Sequence, residues 1–118
     1  MKRIIPLVIM MFILMSTTGC TVFKRTLDKK TNFSEELEAV NRYIAENSWD
    51  KAGESMANCM EKWYKIKPWM QLELDHDVIN EIEARLVEMS AYLETEEKSS
   101  ALAGIRVIIN YWKDIGSK

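Results

Sequence analysis

Histidine occurs once, cysteine twice, proline twice and glycine four times in these 118 residues. Each scarcity excludes something. The single histidine, His76, leaves no pair of imidazoles at four-residue helical spacing, and the two cysteines, Cys20 and Cys59, form no zinc pattern. No glycine-rich phosphate loop and no serine–histidine–aspartate order is present. Basic residues are not in excess: 16 Lys and Arg stand against 18 Asp and Glu, for a net charge of −2. Nucleic-acid surfaces need clustered positive charge, so no nucleic-acid partner is expected. The sequence predicts no catalysis, no cofactor and no metal site.

What the chain does have begins with an apolar segment. Lys2 and Arg3 precede the run Ile4–Met15, and Ser16-Thr17-Thr18-Gly19-Cys20 follows. Positive start, apolar middle and small residues are the order of a secretory signal peptide. The run is shorter than the roughly 20 residues that span a bilayer, and Pro6 interrupts it as a helix. Gly19-Cys20 after small residues resembles a bacterial lipobox, in which cleavage precedes the cysteine and the thiol carries lipid. Thr17 stands where that pattern has Leu, Val or Ile. The expected division is residues 1–19 as a lipoprotein-type signal peptide, 20–31 as a tether and 32–118 as a helical domain. The protein is then placed at the extracytoplasmic face of the cell membrane, or secreted if Cys20 carries no lipid. Losing Lys2 and Arg3 takes the net charge from −2 to −4. In the tether, Lys24, Arg25, Lys29 and Lys30 add weak attraction for anionic headgroups.

The domain is organised around Ser48–Ile66. At helical spacing Trp49, Ala52, Met56, Cys59, Met60, Trp63 and Ile66 share one stripe, and Lys51, Glu54, Asn58, Glu61 and Lys65 lie largely opposite. Cys59 on that stripe reads as a small core hydrophobe. Before it, Asn32-Phe33-Ser34-Glu35 has capping-box spacing, and Leu37, Val40 and Ile44 mark a helix to about Glu46. Asn47-Ser48 is the turn. Pro68 is expected to stop the second helix, leaving Trp69–Leu74 as an apolar connector. Asp75 or Asp77 caps a third helix carrying Ile79, Ile82, Leu86, Met89 and Leu93. A fourth carries Leu102, Ile105, Ile109, Trp112 and Ile115. Only the polar stretch Glu94–Ser100 separates them, without Gly or Pro.

Offset by forty-nine residues, the chain matches itself. Leu37 pairs with Leu86, Tyr43 with Tyr92, Ala52 with Ala101, Met56 with Ile105, and Trp63 with Trp112. That register places the second turn at Glu96-Glu97. The expected fold is all-α: four amphipathic helices as two stacked antiparallel helical hairpins.

The spacing Tyr-x(8)-Ala-x(10)-Trp around Asn47-Ser48-Trp49-Asp50-Lys51-Ala52 resembles a tetratricopeptide-type helix–turn–helix in geometry, although the period is longer than in that family. The whole chain is more similar to an uncharacterised family of small signal-bearing helical proteins from spore-forming Gram-positive bacteria. The likeness rests on Asn47–Ala52, on Trp63–Trp69, and on Leu72-Glu73-Leu74-Asp75-His76 leading into Ile79 and Ile82. The resemblance implies an envelope location, association with a small integral membrane protein, and no known activity.

Two functional surfaces are worth weighing. Glu73, Asp75, His76 and Asp77 carry metal-ligating groups, but neighbours at a helix start do not converge on one point, and capping accounts for both aspartates. Exposed aromatics and methionine mark interfaces, so Tyr64, Trp69 and Met70 are the expected partner-binding residues. The reading that follows is a membrane-tethered extracytoplasmic helical adaptor accessory to a membrane protein, held by lipid on Cys20. Its rival is a small-molecule or metal-binding domain that uses the connector 69–77.

Overall fold

A computed structural model describes residues 4–17, 28 and 31–115 of the chain. Cys20 and most of the tether lie outside the described residues. The first described helix, α1, runs Ile4–Thr17. Pro6 does not interrupt it, because a proline in the first turn removes an N–H that has no intrahelical acceptor. The side chains of residues 4–12 are exposed. No helix among the described residues is long and apolar enough to cross a membrane.

Four further helices form the domain: α2 (Phe33–Ala45), α3 (Trp49–Met70), α4 (His76–Glu94) and α5 (Lys98–Ile115). No strand occurs among the described residues. α2 packs against α3 and α5, and α4 packs against the same two helices. The core therefore lies inside a ring of four helices, each contributing its apolar stripe. Phe33 sits at one end of that core between two indoles. Its ring lies 6.1 Å from Trp63, tilted, and 4.9 Å from Trp112, edge-on. All three side chains are buried.

The start of α2 differs from the expected capping box. Asn32 adopts a left-handed conformation (φ 57°) and its side chain makes no cap bond. The cap comes from four residues earlier. Asp28 accepts hydrogen bonds from the Ser34 N–H at 2.8 Å and from the Ser34 hydroxyl at 2.7 Å, and the Asn32 N–H bonds the Asp28 carbonyl. A carboxylate placed there satisfies an orphan donor and complements the helix dipole. Phe33 is thereby fixed as the first helical residue and turned inward.

α3 also corrects the sequence reading. Pro68 lies inside it, and the helix continues to Met70. Proline's fixed φ suits a helix, and so close to the end its missing N–H costs a single bond. The Gln71 N–H still reaches the Lys67 carbonyl at 2.9 Å. Met70, four residues after Ile66 and seven after Trp63, is buried and holds the last turn against the core. The connector therefore shrinks to the stretch from Gln71 to Asp75. Asp75 occupies the N-cap position of α4, but through its backbone carbonyl and not its carboxylate.

The two tight turns share one hydrogen-bond pattern. Glu46 N–H bonds Arg42, Asn47 bonds Ile44, and Ser48 bonds Tyr43. In the second turn Thr95 bonds Ala91, Glu96 bonds Leu93, and Glu97 bonds Tyr92, each partner lying 49 residues after its counterpart. The bond reaching back five residues, with a left-handed residue before it, is the Schellman closure of a helix end. Asn47 and Glu96 supply that left-handed residue, at φ 59° and 52°. Burial repeats at the same offset: Leu37 and Leu86, Ala52 and Ala101, and Trp63 and Trp112 are buried in both halves. So are two pairs not singled out in the sequence, Phe33 with Ile82 and Cys59 with Ile108. The Cys59 thiol is pushed up to about 12, first by burial and then by Glu36, so it stays a neutral core group.

Two outcomes follow for stability. Trp63→Ala and Trp112→Ala each leave a large cavity and should cost about 3–5 kcal/mol, whereas exposed Trp69→Ala should cost under about 1 kcal/mol. Denaturant unfolding of Thr21–Lys118 measures all three, and equal small losses would contradict the packing. Glu96 has a β-carbon where glycine is favoured, so Glu96→Gly should stabilise by about 0.5–1 kcal/mol in the same assay, net of glycine's larger unfolded-state entropy.

Candidate interaction surface

The C-terminal end of α3 and the residues just after it expose large apolar side chains. Tyr64 is 55% exposed and Trp69 53%, and Leu72, just past the helix, is 76% exposed. Counting about 100° per residue, Tyr64, Pro68, Leu72 and Trp69 fall within one side of the helix axis, while Trp63, Ile66 and Met70 fall on the other. The chain places Tyr64 and Trp69 on the surface as expected. Met70 is corrected: at 2% exposure it belongs to the core, because the helix runs through Pro68 and carries position 70 round to the buried side. Leu72 takes its place. Of the shortened connector's two leucines, only Leu74 is half-buried against the core.

A charged network borders the strip. Lys67 Nζ lies 2.7 Å from Glu83 Oε1 and 6.0 Å from the Tyr64 ring centroid. The Trp63 indole N–H donates to the same Glu83 oxygen at 3.2 Å. Glu83 thus ties the inner and outer faces of α3 to α4: one donor comes from the core and the other from the rim. These bonds hold its carboxyl below its ordinary 4.5, the Lys67 bond contributing most and the Trp63 bond next.

The other concavities are shallower chemistry. An open groove of about 870 Å³ runs between α2 and α3, lined by acidic and basic side chains in equal number. Lys62 pairs with Glu36 at 3.1 Å, and Lys113 approaches Glu38 at 3.8 Å. Tyr43 has Arg42 at 5.1 Å and Lys51 at 6.0 Å from its ring. This is a solvated, largely self-neutralised face. A smaller groove between α4 and α5 lies at the corresponding place and carries fewer charged side chains, with Arg85 and Glu88 beside Met89, Ala103, Gly104 and Val107 in its lining. Glu73, Asp75, His76 and Asp77 are exposed along the connector and the start of α4. Among the described residues no three His, Cys, Asp or Glu side chains come together as a metal would require. Cys20 lies outside the described residues.

Glu83 carries a pH prediction. Its folded pKa lies below the unfolded one, so the stability it adds is present above the unfolded value and is lost as pH falls through the folded value. Glu83→Gln should therefore lower stability at neutral pH and flatten its acid dependence below about pH 4.5. Urea midpoints measured from pH 7 to pH 3 decide this. An unchanged acid slope would mean the Lys67 and Trp63 bonds are not maintained in solution.

No curated protein and no solved structure matches the chain. The profile of one family does, over residues 21–118, which takes in all four helices of the domain. The chain belongs to the family described as "Domain of unknown function (DUF4363)".

Proposed function

We propose that the protein is a membrane-tethered, extracytoplasmic helical adaptor that binds another protein and is accessory to an integral membrane protein. In this reading residues 1–19 are removed as a signal peptide and lipid on Cys20 holds the chain at the outer face of the membrane. The bundle serves as two stacked antiparallel helical hairpins, a reading supported by the matched turns and the repeated core. It has no catalytic role.

The observation that carries the proposal is the strip on α3. The core is complete without Tyr64, Trp69 and Leu72, since the buried face of the same helix already supplies Trp63, Ile66 and Met70. Keeping more than half of a tyrosine, a tryptophan and a leucine in water costs solubility. Such residues are the ones that anchor interfaces, because they offer large contact area with few rotatable bonds. Tyr64 and Trp69 are the proposed partner-binding residues. Lys67 lies beside Tyr64 and can frame the contact with charge.

Two measurements test this. Mass spectrometry of the membrane fraction should find Cys20 as the first residue, carrying a diacylglyceryl group, and a salt wash should not release the protein. A different N-terminus or full release by salt overturns the tether. Affinity purification from detergent-solubilised membranes should retain a membrane-protein partner with the native chain and lose it with Tyr64→Ala. Because Tyr64 is exposed, that change should alter stability by no more than about 0.5 kcal/mol. Retention of the same partner by Tyr64→Ala and Trp69→Ala would place the contact elsewhere.

A further inference from the structure

The 49-residue offset allows each groove of the bundle to be compared with its own counterpart. It carries α2 onto α4 and α3 onto α5, and every residue lining the α4–α5 groove except Met89 has its counterpart in the lining of the α2–α3 groove. The same offset relates the groove between α3 and α4 to the contact between α5 and α2. The α3–α4 groove holds about 280 Å³ beside Gly53 and Ala57, with half-buried Trp49, Met60 and Leu93 as its apolar walls. A β-carbon added at Gly53 would meet nothing within 4 Å. Across from it Ser90 is exposed. In the other half, Leu102 stands where Gly53 does and Arg106 where Ala57 does. Leu102 is half-buried against the core, and the carboxamide oxygen of Asn41, the counterpart of Ser90, is sealed from water. The chain closes one of the two places with its own side chains and leaves the other open.

We propose that the α3–α4 groove seats an aliphatic side chain from a helix of the partner protein, with a basic residue of the same helix meeting Glu94. This rests on the reading of the chain as an adaptor and names the chemistry of what it binds. The closed counterpart shows what fills such a place: a leucine, with an arginine one turn on. Charge agrees with that occupant. Glu94 lines the open groove, whereas its counterpart in the closed one is Ala45. The groove is also continuous with the exposed tyrosine. At about 100° per residue, Gly53, Ala57, Met60 and Tyr64 fall on one line along α3, roughly 16 Å from first to last. A straight seam between two helices, three turns long, is the shape into which an amphipathic helix lays its apolar face. Tyr64 then grips one end of that helix and the vacancy at Gly53 receives an anchor near the other. A glycine within a 22-residue helix lowers helix stability, so the open place is kept at a cost to folding.

The repeat supplies the test, because Gly53→Leu copies the closed groove into the open one. Leucine replaces glycine in a helix interior with open space around it, so the full chain carrying Gly53→Leu should melt no lower than the native chain. It should nevertheless lose at least about tenfold in capture of the membrane-protein partner, the effect of removing one anchoring contact. Gly53→Ala, which leaves most of the space, should keep it. If Gly53→Leu does melt lower, Ala57→Arg makes the same test with a side chain whose charged end stays in water. The occupant is read directly by photo-crosslinking in cells, with p-benzoylphenylalanine in place of Ser90 or of Tyr64 in the full chain. Both positions should capture the same membrane protein, and mass spectrometry should place the Ser90 adduct within one helical turn of an aliphatic residue that has Lys or Arg beside it. Undiminished capture by Gly53→Leu, or by Ala57→Arg where that variant replaces it, overturns the proposal. So does a Ser90 adduct on lipid or on a second copy of the chain. A partner captured at Tyr64 and not at Ser90 overturns the groove and leaves the adaptor reading standing. Capture of no protein at either position overturns the adaptor reading, and the groove with it.

Discussion

The packing of Phe33 between Trp63 and Trp112 sets the geometry on which the rest depends. Three large rings at one end of the bundle draw the start of α2 to the ends of α3 and α5. Aromatic pairs of this kind add specific edge and tilt preferences to their area burial, so they fix orientation as well as energy. Once Phe33 is seated, the direction of each following helix is set by the two Schellman turns, and the connector after Met70 must return to the same end. Asp28 reinforces the arrangement from outside by capping α2 through Ser34. The Glu83 carboxylate reinforces it from the side, since it accepts from the Trp63 indole and from Lys67 together.

Much of this was legible in the residues, and the misses have identifiable physics. The stripes on the four helices could be read because apolar side chains recur at three and four, and the turn at Glu96 could be placed because it lies one repeat after Asn47. Phe33 could not be read as core from periodicity alone: it precedes the stripe and looked like the spacer of a capping box. Its partner at the repeat offset, Ile82, was the available signal. Asn32 has the right chemistry for a cap, but the left-handed backbone turns its side chain away and Asp28 replaces it. Pro68 was misread because the rule that proline ends helices concerns the cost of a lost bond in the interior. Near an end the cost is smaller than the gain from burying Met70.

The surface was less legible than the core for a different reason. Burial follows from pattern, whereas exposure of an apolar residue depends on which side of a helix the last turn presents. One extra turn of α3 moved Met70 into the core and left Trp69 and Leu72 outside. No motif marks the strip, since binding by exposed aromatic and aliphatic side chains requires no fixed order of residue types. The acidic stretch around His76 shows the converse. It has ligand-type residues in a row, but a row along a helix start spreads them over different directions.

The two halves of the domain differ in a way that separates what folding requires from what it leaves open. At equivalent positions their cores carry the same or similar side chains, because the same space must be filled at crystal-like density. Their outer grooves do not match. Between α2 and α3 the groove carries Glu36, Glu38, Lys62 and the cations beside Tyr43; between α4 and α5 it carries Arg85 and Glu88 with Ala103, Gly104 and Val107. At Gly104 a β-carbon would lie 2.7 Å from the Met89 sulfur, which would have to shift to make room, and the counterpart of Gly104 in the first half is Ser55. A volume exchanged across the core, Val40 for Met89, is thus matched by a volume removed from the facing helix. The strip on α3 has no copy on α5: where the first half has Tyr64, the second has Lys113 at the same register, and nothing in the core demands that they agree.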